Sequence, residues 1–334
     1  MRLLIVTDAW HPQVNGVVVT LDHTVDGLRR NGHDVHVLSH EGFRTVPMPG
    51  YPEIRLAVGA RAGVTRRIES LDPDAIHVAT EGPLGLAVRA YCVRSGRPFT
   101  TAWHTQFPEY VHARTRLPLA WTYAWLRRFH RPSAAILVGT PAIRDRLTRR
   151  GFERLALWSR GVDADLYAPG TRDGKLPRPI FLNVGRIAVE KNLESFLRLD
   201  LPGTRVIVGD GPARAALQFR YPDAVFTGTL RGAALSAWYR EADVFVFPSR
   251  TDTFGLVMIE AMACGTPVAA YPVDGPLDVV AHGTSGFLDP DLRRAALAAL
   301  SLDRAAVRAH ALRYSWDEAT RQFERAALGL GRYQ

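Results

Sequence analysis

Two carboxylates eight positions apart, Asp252 and Glu260, give the sequence its clearest chemical signal. An apolar run, Val244–Phe247, precedes them, and the helix-stop pair Cys264-Gly265 follows them. This order predicts a strand, a loop that holds Asp252, and a helix that carries Glu260 about two turns from its start. A helix N-terminus offers backbone N–H groups to an anion. A phosphate bound there would lie between two acceptors of hydroxyl hydrogen bonds, which suits a sugar attached to a nucleotide.

The sequence around Glu260 decides between a functional and a solvated carboxylate. An isolated acidic residue is more commonly a solvated helix residue or a turn former than a binding group. Here its neighbours are apolar: Val257, Met258, Ile259, Ala261, Met262 and Ala263. A carboxylate in such a setting usually has a partner, because burying an unpaired charge is costly. The local composition therefore favours a functional role.

A second loop supplies positive charge. Arg186 and Lys191 follow the predicted strand Ile180–Val184, in a segment that opens with Gly185. Arginine can hold phosphate oxygens in a bidentate manner, and lysine acts as a mobile point charge. Either cation alone would by default be a solvated loop residue. The two cations together are better explained as a binding site for a diphosphate.

The N-terminal segment predicts a strand over Arg2–Thr7, a loop ending at Gly16, and a helix over Val17–Arg30. A doubly wound sheet begins in this way, with its ligand crevice at the carboxyl ends of the strands. The loop lacks the GxGxxG pattern of dinucleotide-binding proteins, but Gly16 marks a place where backbone can approach a ligand closely. His104 comes just after the predicted strand Phe99–Ala102 and hence lies at the same edge. A loop histidine satisfied by backbone contacts is the alternative.

Short β-prone runs alternate with helical patterns along the chain, which predicts parallel sheets with helices on both faces. The predicted fold is α/β, with two Rossmann-like doubly wound domains facing each other across a cleft. We expect a first domain over residues 1–165, a second over 166–312, and a helix over 313–334 that bridges them. Turn formers between Trp158 and Pro179 indicate the linker. Further strands are expected at Asp34–Leu38, Ala75–Val78, Ala135–Val138, Arg205–Val208, Ala224–Phe226 and Pro267–Ala270.

The net charge of +9 is unevenly distributed. Residues 1–170 hold 22 Arg, no Lys and 15 acids, a balance of +7, whereas residues 171–334 hold 20 basic and 18 acidic residues, a balance of +2. A basic first half suggests an anionic partner such as a phospholipid surface or nucleic acid. Genomic base composition can explain why 40 of the 42 basic residues are Arg. It does not explain the asymmetry.

The segment Leu117–Pro132 combines four aromatic residues with three arginines, namely Trp121, Tyr123, Trp125 and Phe129 with Arg127, Arg128 and Arg131. A helix of this composition can lie in a membrane interface. A helix that packs its aromatic face on the sheet and solvates its arginines would have the same sequence. Both interpretations stay open at this point.

The composition, 47% hydrophobic and 22% charged, is typical of a soluble globular protein. No apolar run is long enough to span a bilayer, and the N-terminus enters a strand at once, so we expect a cytoplasmic protein without a signal peptide. Cys92 and Cys264 lack the spacing of a metal site and should be small buried residues.

Six motifs spread over nearly the whole chain resemble those of the family 4 glycosyltransferases, which have the GT-B fold. They are Asp8–Gly16, His104 in a His-Thr-x-x-Pro-x-Tyr context with Tyr110 displaced by one place, Arg160–Asp163, Gly185-Arg186 with Glu190–Asn192, Gly209–Pro212, and Pro248–Val268. The resemblance implies transfer of a sugar from a nucleotide diphosphate donor to an acceptor. It also implies retention of the anomeric configuration and no bound metal or other cofactor.

The resemblance further implies a role for each matching residue. Arg186 and Lys191 would hold the diphosphate and stabilise the leaving group, supplying the charge that a metal supplies elsewhere. Glu260 would bind the ribose, and Asp252 the hydroxyls of the donor sugar. The other donor contacts would come from Thr253, from the backbone N–H groups of Phe254, Gly255 and Leu256, from Gly16 at the diphosphate, and from His104 beside the reacting carbon.

The chain departs from the family pattern at two positions. Asp252 stands where the family has Glu, and Asn15-Gly16 stands where the family has two glycines. The first change puts the sugar pocket in question, and the second leaves a single glycine for close approach to the phosphate.

The leading hypothesis is a peripheral enzyme at the inner face of the cell membrane. It would transfer glucose, mannose or glucuronic acid from a UDP-sugar or GDP-sugar to a lipid such as diacylglycerol. The alternatives are a transferase that extends a soluble or polysaccharide acceptor, and a non-catalytic nucleotide-sugar sensor. Nucleic-acid binding ranks lowest, because the aromatic residues cluster in one helix rather than interleave along a groove.

Overall fold

The computed structural model describes residues 1–13, 15–48, 51–174 and 176–329. The contacts divide the chain into two compact units, one formed by Met1–Arg160 with Trp316–Gln334 and the other by Gly161–Ser315. The sequence suggested boundaries at residues 165 and 312. The contact boundaries follow Arg160 and Ser315, and they assign the last helix to the first unit.

The strands of the first unit are β1 (Arg2–Val6), β2 (Asp34–Leu38), β3 (Thr45–Met48), β4 (Tyr51–Ala57), β5 (Ala75–Val78), β6 (Thr100–Trp103), β7 (Ala135–Val138) and β8 (Leu155–Leu157). A parallel sheet has the order β2-β1-β5-β6-β7-β8, and β3 and β4 form an antiparallel pair. The strand order reverses at β1, which lies between β2 and β5. Such a reversal is where doubly wound sheets hold ligands, at the carboxyl ends of the strands.

The helices of the first unit are α1 (Gly16–Arg30), α2 (Arg61–Leu71), α3 (Pro83–Ser95), α4 (Phe107–Thr115), α5 (Leu119–His130), α6 (Pro141–Arg149) and, from the end of the chain, α14 (Trp316–Leu328). Helix α14 packs against α1 and the sheet. Its apolar stripe, which includes the fully buried Phe323, joins Leu21 and Leu28 of α1 in one hydrophobic cluster. This burial explains why the last helix belongs to the first unit.

The second unit has strands β9 (Ile180–Val184), β10 (Thr204–Val208), β11 (Val225–Gly228), β12 (Val244–Phe247), β13 (Val268–Ala270) and β14 (Gly286–Leu288). Its helices are α7 (Leu193–Leu197), α8 (Arg214–Arg220), α9 (Gly232–Glu241), α10 (Leu256–Ala263), α11 (Pro276–Val279), α12 (Leu292–Ala299) and α13 (Arg304–Ala311). The sheet is parallel, in the order β11-β10-β9-β12-β13-β14. The strands β9 and β12 are buried along their whole length, as expected for strands covered on both faces, and Asn183 of β9 donates its side-chain N–H to the carbonyl oxygen of Val246. The predicted fold class is therefore confirmed, because each unit is a Rossmann-like α/β domain.

Helix α5 has both of the faces that its sequence allowed. Tyr123, Leu126 and Phe129 are buried in the first unit. Trp121 and Trp125 instead remain 69% and 41% exposed. The aromatic residues thus divide between core packing and the surface.

The two cysteines are buried and unbridged, as predicted. Cys92 lies in α3, and Cys264 follows α10 directly. Both act as small packing residues.

Candidate active site

Two loops of the second unit carry most of the predicted site residues. The loop after β9 holds Arg186 and Lys191, and the loop after β12 holds Asp252. A hydrogen bond from Asn192 Nδ2 to the carbonyl oxygen of Pro248, 3.1 Å long, ties the loops together. Because β9 and β12 are neighbours in a parallel sheet, both loops leave from its carboxyl edge. This is the edge at which the sequence predicted the ligand.

Lys191 and Asp252 form an ion pair across these loops. The Nζ atom of Lys191 lies 2.5 Å from Oδ1 of Asp252, and the two side chains are only 28% and 17% exposed. The other carboxylate oxygen of Asp252, Oδ2, is buried and has no hydrogen-bond partner within the described part of the chain. A buried acceptor in this state suits a hydroxyl donor. The pair thus brings together a predicted phosphate contact and a predicted sugar contact.

Arg186 lies two positions after the end of β9 and is half-buried. Burial lowers the pKa of its guanidinium, and the nearby carboxylate of Glu190 raises it. A guanidinium stays protonated at neutral pH despite such shifts. The loop therefore holds a permanent positive charge at the carboxyl edge of the sheet.

The turn into α10 depends on a glycine. Gly255 precedes the first helical residue, Leu256, and has a φ of +85° in the left-handed region. A Cβ atom at Gly255 would lie 2.7 Å from Cε of Met258, so both the backbone angle and the space favour glycine. Thr253 and Phe254, just before it, are buried. The buried loop turns sharply here and presents the first-turn N–H groups of α10 at the same edge of the sheet.

The sequence reasoning missed Gly275, which supports this loop from behind. Its φ is +85°, and a Cβ atom there would lie 2.9 Å from the carbonyl oxygen of Asp252 and 3.4 Å from that of Phe254. The connection between β13 and α11 therefore passes directly against the backbone of the acidic loop. The Asp274-Gly275-Pro276 pattern signals a turn, but it does not reveal what the turn touches.

Glu260 lies in the second turn of α10 and is half-buried. Burial raises the pKa of its carboxyl group to about 7, although hydrogen bonds from Tyr239 and Tyr167 lower it in part. The hydroxyl of Tyr239, a fully buried residue of α9, donates to Oε2 at 2.8 Å. The ring of Tyr167 meets the ring of Tyr239 edge-on, with 5.7 Å between centroids. The expected partner of Glu260 is thus present, although nothing in the sequence indicates that Tyr239 and Tyr167 supply it.

The remaining two predicted residues, His104 and Gly16, lie in the first unit. His104 follows β6, and its Nδ1 atom lies 3.2 Å from Nη2 of Arg160, which donates to it. Its ring meets Trp158 edge-on at 5.3 Å. Burial, and then the charge of Arg160, hold the pKa of His104 well below its usual value. The imidazole is therefore neutral at pH 7, and because Nδ1 accepts, its proton is on Nε2.

Arg160 orients His104, a role that the sequence reasoning did not assign to it. Arg160 is 4% exposed, and its guanidinium donates to the carbonyl oxygens of Trp158 and Ser159. Burial lowers its pKa to about 9. Fixed in this way, the guanidinium acts as a positively charged donor to His104.

Both ends of the loop from Asp8 to Gly16 cap helices. The Asp8 carboxylate accepts from the hydroxyl of Thr80 at 2.9 Å and from the backbone N–H of Leu84 at 3.0 Å, so it caps the start of α3. Burial raises the pKa of Asp8, and these hydrogen bonds lower it in part. Asn15 caps α1, of which Gly16 is the first residue. Gly16 thus lies at a helix N-terminus beside the carboxyl end of β1, where the sequence placed a close backbone approach.

No group of three or more His, Cys, Asp and Glu side chains is placed to hold a metal ion in the described residues. The described helices also include none that is both long and apolar enough to cross a membrane.

The chain is similar to known glycosyltransferases throughout its length. Residues 14–166 match Glycosyltransferase Family 4, and residues 178–303 match Glycosyl transferases group 1. A GDP-mannose-dependent alpha-mannosyltransferase of Mycolicibacterium smegmatis is 36% identical over 86% of this chain and 84% of its own. An alpha-monoglucosyldiacylglycerol synthase of Streptococcus pneumoniae is 25% identical over 81% of this chain and 71% of its own.

The fold is also that of solved glycosyltransferase structures. Sucrose-phosphate synthase from Thermosynechococcus elongatus superposes with a TM-score of 0.75, covering 99% of this chain and 97% of that one, at 19% identity. At such low identity the likeness establishes the fold alone. The sequence matches establish the family, and the chain therefore belongs to glycosyltransferase family 4, with the GT-B fold.

Proposed function

We propose that this enzyme transfers a hexose from a nucleotide diphosphate sugar to a membrane lipid, with retention of the anomeric configuration. The observation that carries the proposal is the pairing of Lys191 with Asp252 where two loops meet at the carboxyl edge of the second sheet. A cation for the diphosphate and an acceptor for the sugar hydroxyls lie there side by side.

The diphosphate binds Arg186 and Lys191, which neutralise the charge that develops on the leaving group without a metal ion. Thr253 and the backbone N–H groups of Phe254, Gly255 and Leu256 add neutral donors at the start of α10. Transfer of the sugar should therefore continue in the presence of EDTA.

The two carboxylates bind the two ends of the donor. Asp252 offers Oδ2, its buried and unsatisfied oxygen, to the hydroxyls of the sugar. Glu260, held through Oε2 by Tyr239, accepts hydrogen bonds from the ribose. The contacts of His104 and Gly16 with the donor stay predictions from the family resemblance, and the Nε2 proton of a neutral His104 is suited to a sugar hydroxyl.

Mannose carried by GDP is the first donor to test, because the mycobacterial relative is named as GDP-mannose-dependent. The lipid acceptor is supported by two observations. The pneumococcal relative is named as a synthase of a glucosyldiacylglycerol. The first unit exposes Trp121 and Trp125 on a helix with several arginines, a composition that suits a membrane interface.

A donor panel tests the proposal. GDP-mannose, UDP-glucose and UDP-glucuronic acid would each be supplied with vesicles containing diacylglycerol and membrane lipid extract, or with soluble glycans instead. We expect release of the nucleoside diphosphate together with a glycolipid product, in the presence of EDTA. Product from the soluble glycans alone would refute the lipid acceptor. Binding of a donor without turnover on any acceptor would instead identify a nucleotide-sugar sensor.

A further inference from the structure

A cavity of about 470 Å³ opens on the surface of the first unit. It lies between the C-terminal half of α5 and the segment from the end of α6 to β8. Its volume is in the range of small-ligand sites, roughly 300–1,000 Å³. The predicted donor-phosphate cations, Arg186 and Lys191, belong to the other unit and do not line this cavity.

The side chains that line this cavity are strongly basic. Arg127, Arg128, Arg131 and Arg154 contribute four positive charges, and Glu153 contributes one negative charge, leaving a balance of +3. The floor is apolar and includes the buried ring of Phe152. We name this site the arginine pocket.

Neutral groups, and not carboxylates, hold two of these arginines in place. Arg127 donates to the carbonyl oxygen of Arg150 at 2.9 Å. Arg154 donates to the carbonyl oxygens of Ser133 and Arg131, and its ion pair with the exposed Glu153 is long, at 3.7 Å. Since carbonyl oxygens fix a guanidinium without cancelling its charge, the pocket keeps its positive potential.

The ordinary structural reason for such arginines is the C-terminus of a helix, where cations satisfy the last carbonyl groups. Other residues already do this for α5. Arg89 donates to the carbonyl oxygens of Arg128 and Phe129, each at 2.8 Å, and Arg154 donates to that of Arg131. Across the described residues, the side chains of Arg128 and Arg131 make no hydrogen bond or ion pair. The guanidiniums of Arg128 and Arg131 are therefore not required to satisfy the C-terminal carbonyl groups of α5.

Arg128 is also held near a like charge. Burial, followed by repulsion from Arg128, lowers the pKa of Arg89. An anion bound near these two cations would relieve their repulsion. The position of Arg128 three residues after the exposed Trp125 puts it on the side of α5 that carries the tryptophans.

We propose that the arginine pocket binds the phosphate group of an anionic membrane lipid, with Arg128 and Arg131 as the donors. Two guanidiniums one turn apart on a helix can each bind phosphate oxygens in a bidentate manner. Trp121 and Trp125 would enter the interface beside the same headgroup. The inference relies on the proposed membrane association for the source of the phosphate, whereas the chemistry of the pocket would equally accept a free phosphate ester.

Vesicle flotation with a matched pair of variants tests the proposal. The first variant, Arg128→Gln with Arg131→Gln, removes two charges from the pocket. The control, Arg61→Gln with Arg66→Gln, removes two charges from the exposed surface of α2 in the same unit. On vesicles containing phosphatidylglycerol, we expect the pocket variant to bind about 30-fold more weakly than wild type. The control should change by less than about threefold, since its arginines are distant in sequence from the pocket.

A second pocket variant tests the same site without removing any arginine, in case the first variant does not fold. Ala124 is exposed and lines the pocket, so Ala124→Glu adds an acid there while keeping every arginine. It should weaken binding to the same vesicles and leave the melting temperature unchanged. Equal losses in the pocket and control variants, or no loss in either pocket variant, would overturn the proposal.

Soluble probes separate the two possible sources of phosphate. Glycerol 3-phosphate should compete with phosphatidylglycerol vesicles for the wild type, and glycerol should not. If the pocket variants lose glycerol 3-phosphate binding but still bind the vesicles as wild type does, the lipid is the wrong ligand. None of these measurements requires turnover. If the arginine pocket does not bind lipid phosphate, the proposed transferase reaction can still be correct. If no transfer is found, the vesicle-binding results can still be interpreted.

Discussion

Asp252 differs from the usual glutamate of its family by one methylene group, and the structure places it within reach of Lys191. The carboxylate has one oxygen on the ammonium, and the other oxygen is buried without a hydrogen-bond partner among the described residues. At the scale of single residues, the proposal therefore depends on whether Lys191 serves the diphosphate or only neutralises Asp252.

Replacing Lys191 separates these roles. We expect Lys191→Gln to lower kcat/KM by about 100-fold or more, because one donor to the leaving group is lost. Adding Asp252→Asn should not restore activity. Recovery in that double variant would show that Lys191 merely neutralises the carboxylate. Arg198→Gln, which removes an exposed cation directly after α7, is the control and should change activity by less than about twofold.

The titration of Glu260 predicts a pH dependence of donor binding. The ribose needs an acceptor, which is the ionised carboxylate, and the pKa of this group is about 7 in the free protein. Affinity for GDP or UDP should therefore rise as the pH increases from 5.5, pass its midpoint near pH 7 and level off above about pH 8. Calorimetric titrations at a series of pH values check this. Glu260→Gln, which cannot ionise, should bind weakly and lose this component of the profile.

Tyr239 supplies an internal check on that profile. Its hydroxyl stabilises the ionised form of Glu260 and so lowers the pKa of the carboxyl group. Tyr239→Phe keeps the buried ring but removes this hydrogen bond. The midpoint of the binding profile should move to higher pH. An unchanged midpoint would mean that Glu260 does not control nucleotide binding.

The central element of the site is the turn that leads from β12 into α10. Its shape depends on Gly255, which combines a left-handed backbone with close packing against Met258. A neighbouring loop reaches this turn at Gly275. Gly275 lets this neighbouring loop pass directly against the backbone of the turn at Asp252 and Phe254.

Alanine at position 255 should disturb both stability and function. We expect Gly255→Ala to lower the free energy of unfolding by about 1–3 kcal/mol, because it strains a left-handed residue and places a Cβ atom 3.1 Å from the ring of Phe247. Donor affinity should fall as well, since the start of α10 shifts. Gly232→Ala is the matched control, because Gly232 is also left-handed but has open space around it. Equal effects of the two substitutions on donor binding would contradict the role assigned to the turn.

Helix α5 supplies the proposed membrane contact. Trp121→Gln with Trp125→Gln removes two exposed rings and leaves the buried face, which includes Tyr123 and Leu126, untouched. Binding to vesicles should fall by about tenfold or more, and the melting temperature should drop only slightly, since Trp125 loses its stacking contact with the buried Phe129. Phe219→Gln, at a 90% exposed ring in α8, is the control and should bind normally. Normal binding of the tryptophan variant would remove α5 from the membrane contact.

Across the whole molecule, the sequence predicted the elements that form continuous apolar runs. The strands β9 and β12 begin and end where the apolar residues do, because they are buried on both faces. The short edge strands β8 and β14 were missed, since three residues carry too little pattern. The antiparallel pair β3 and β4 was also missed, because Pro47 and Pro52 interrupt the strand pattern.

The sequence could not reveal contacts between residues far apart in the chain. Asp8 belongs to a motif of the family, yet its carboxylate caps α3 through Leu84, 76 positions away. Tyr239 reaches Glu260 across 21 positions, and Arg160 reaches His104 across 56. Residue types and spacing predicted the chemistry of the site. The partners that set the protonation of Glu260 and His104 depend on how the helices and strands pack.

The division of the chain into two α/β units assigns the proposed donor contacts mainly to the second unit and the proposed membrane contacts to the first. The asymmetry of charge fits this division, because the excess of Arg lies in the first half of the chain. Transfer from a soluble donor to a lipid tests the proposed donor contacts and the proposed membrane contacts together.

The most direct test is transfer of radiolabelled mannose from GDP-mannose into extractable lipid, in the presence of EDTA. The product linkage would be assigned by NMR. We expect an α-linked mannolipid from the wild type, about 100-fold less from Lys191→Gln, and full activity without divalent metal. A β-linked product, activity that requires a metal ion, or undiminished transfer by Lys191→Gln would rule out metal-independent, retaining transfer that depends on Lys191.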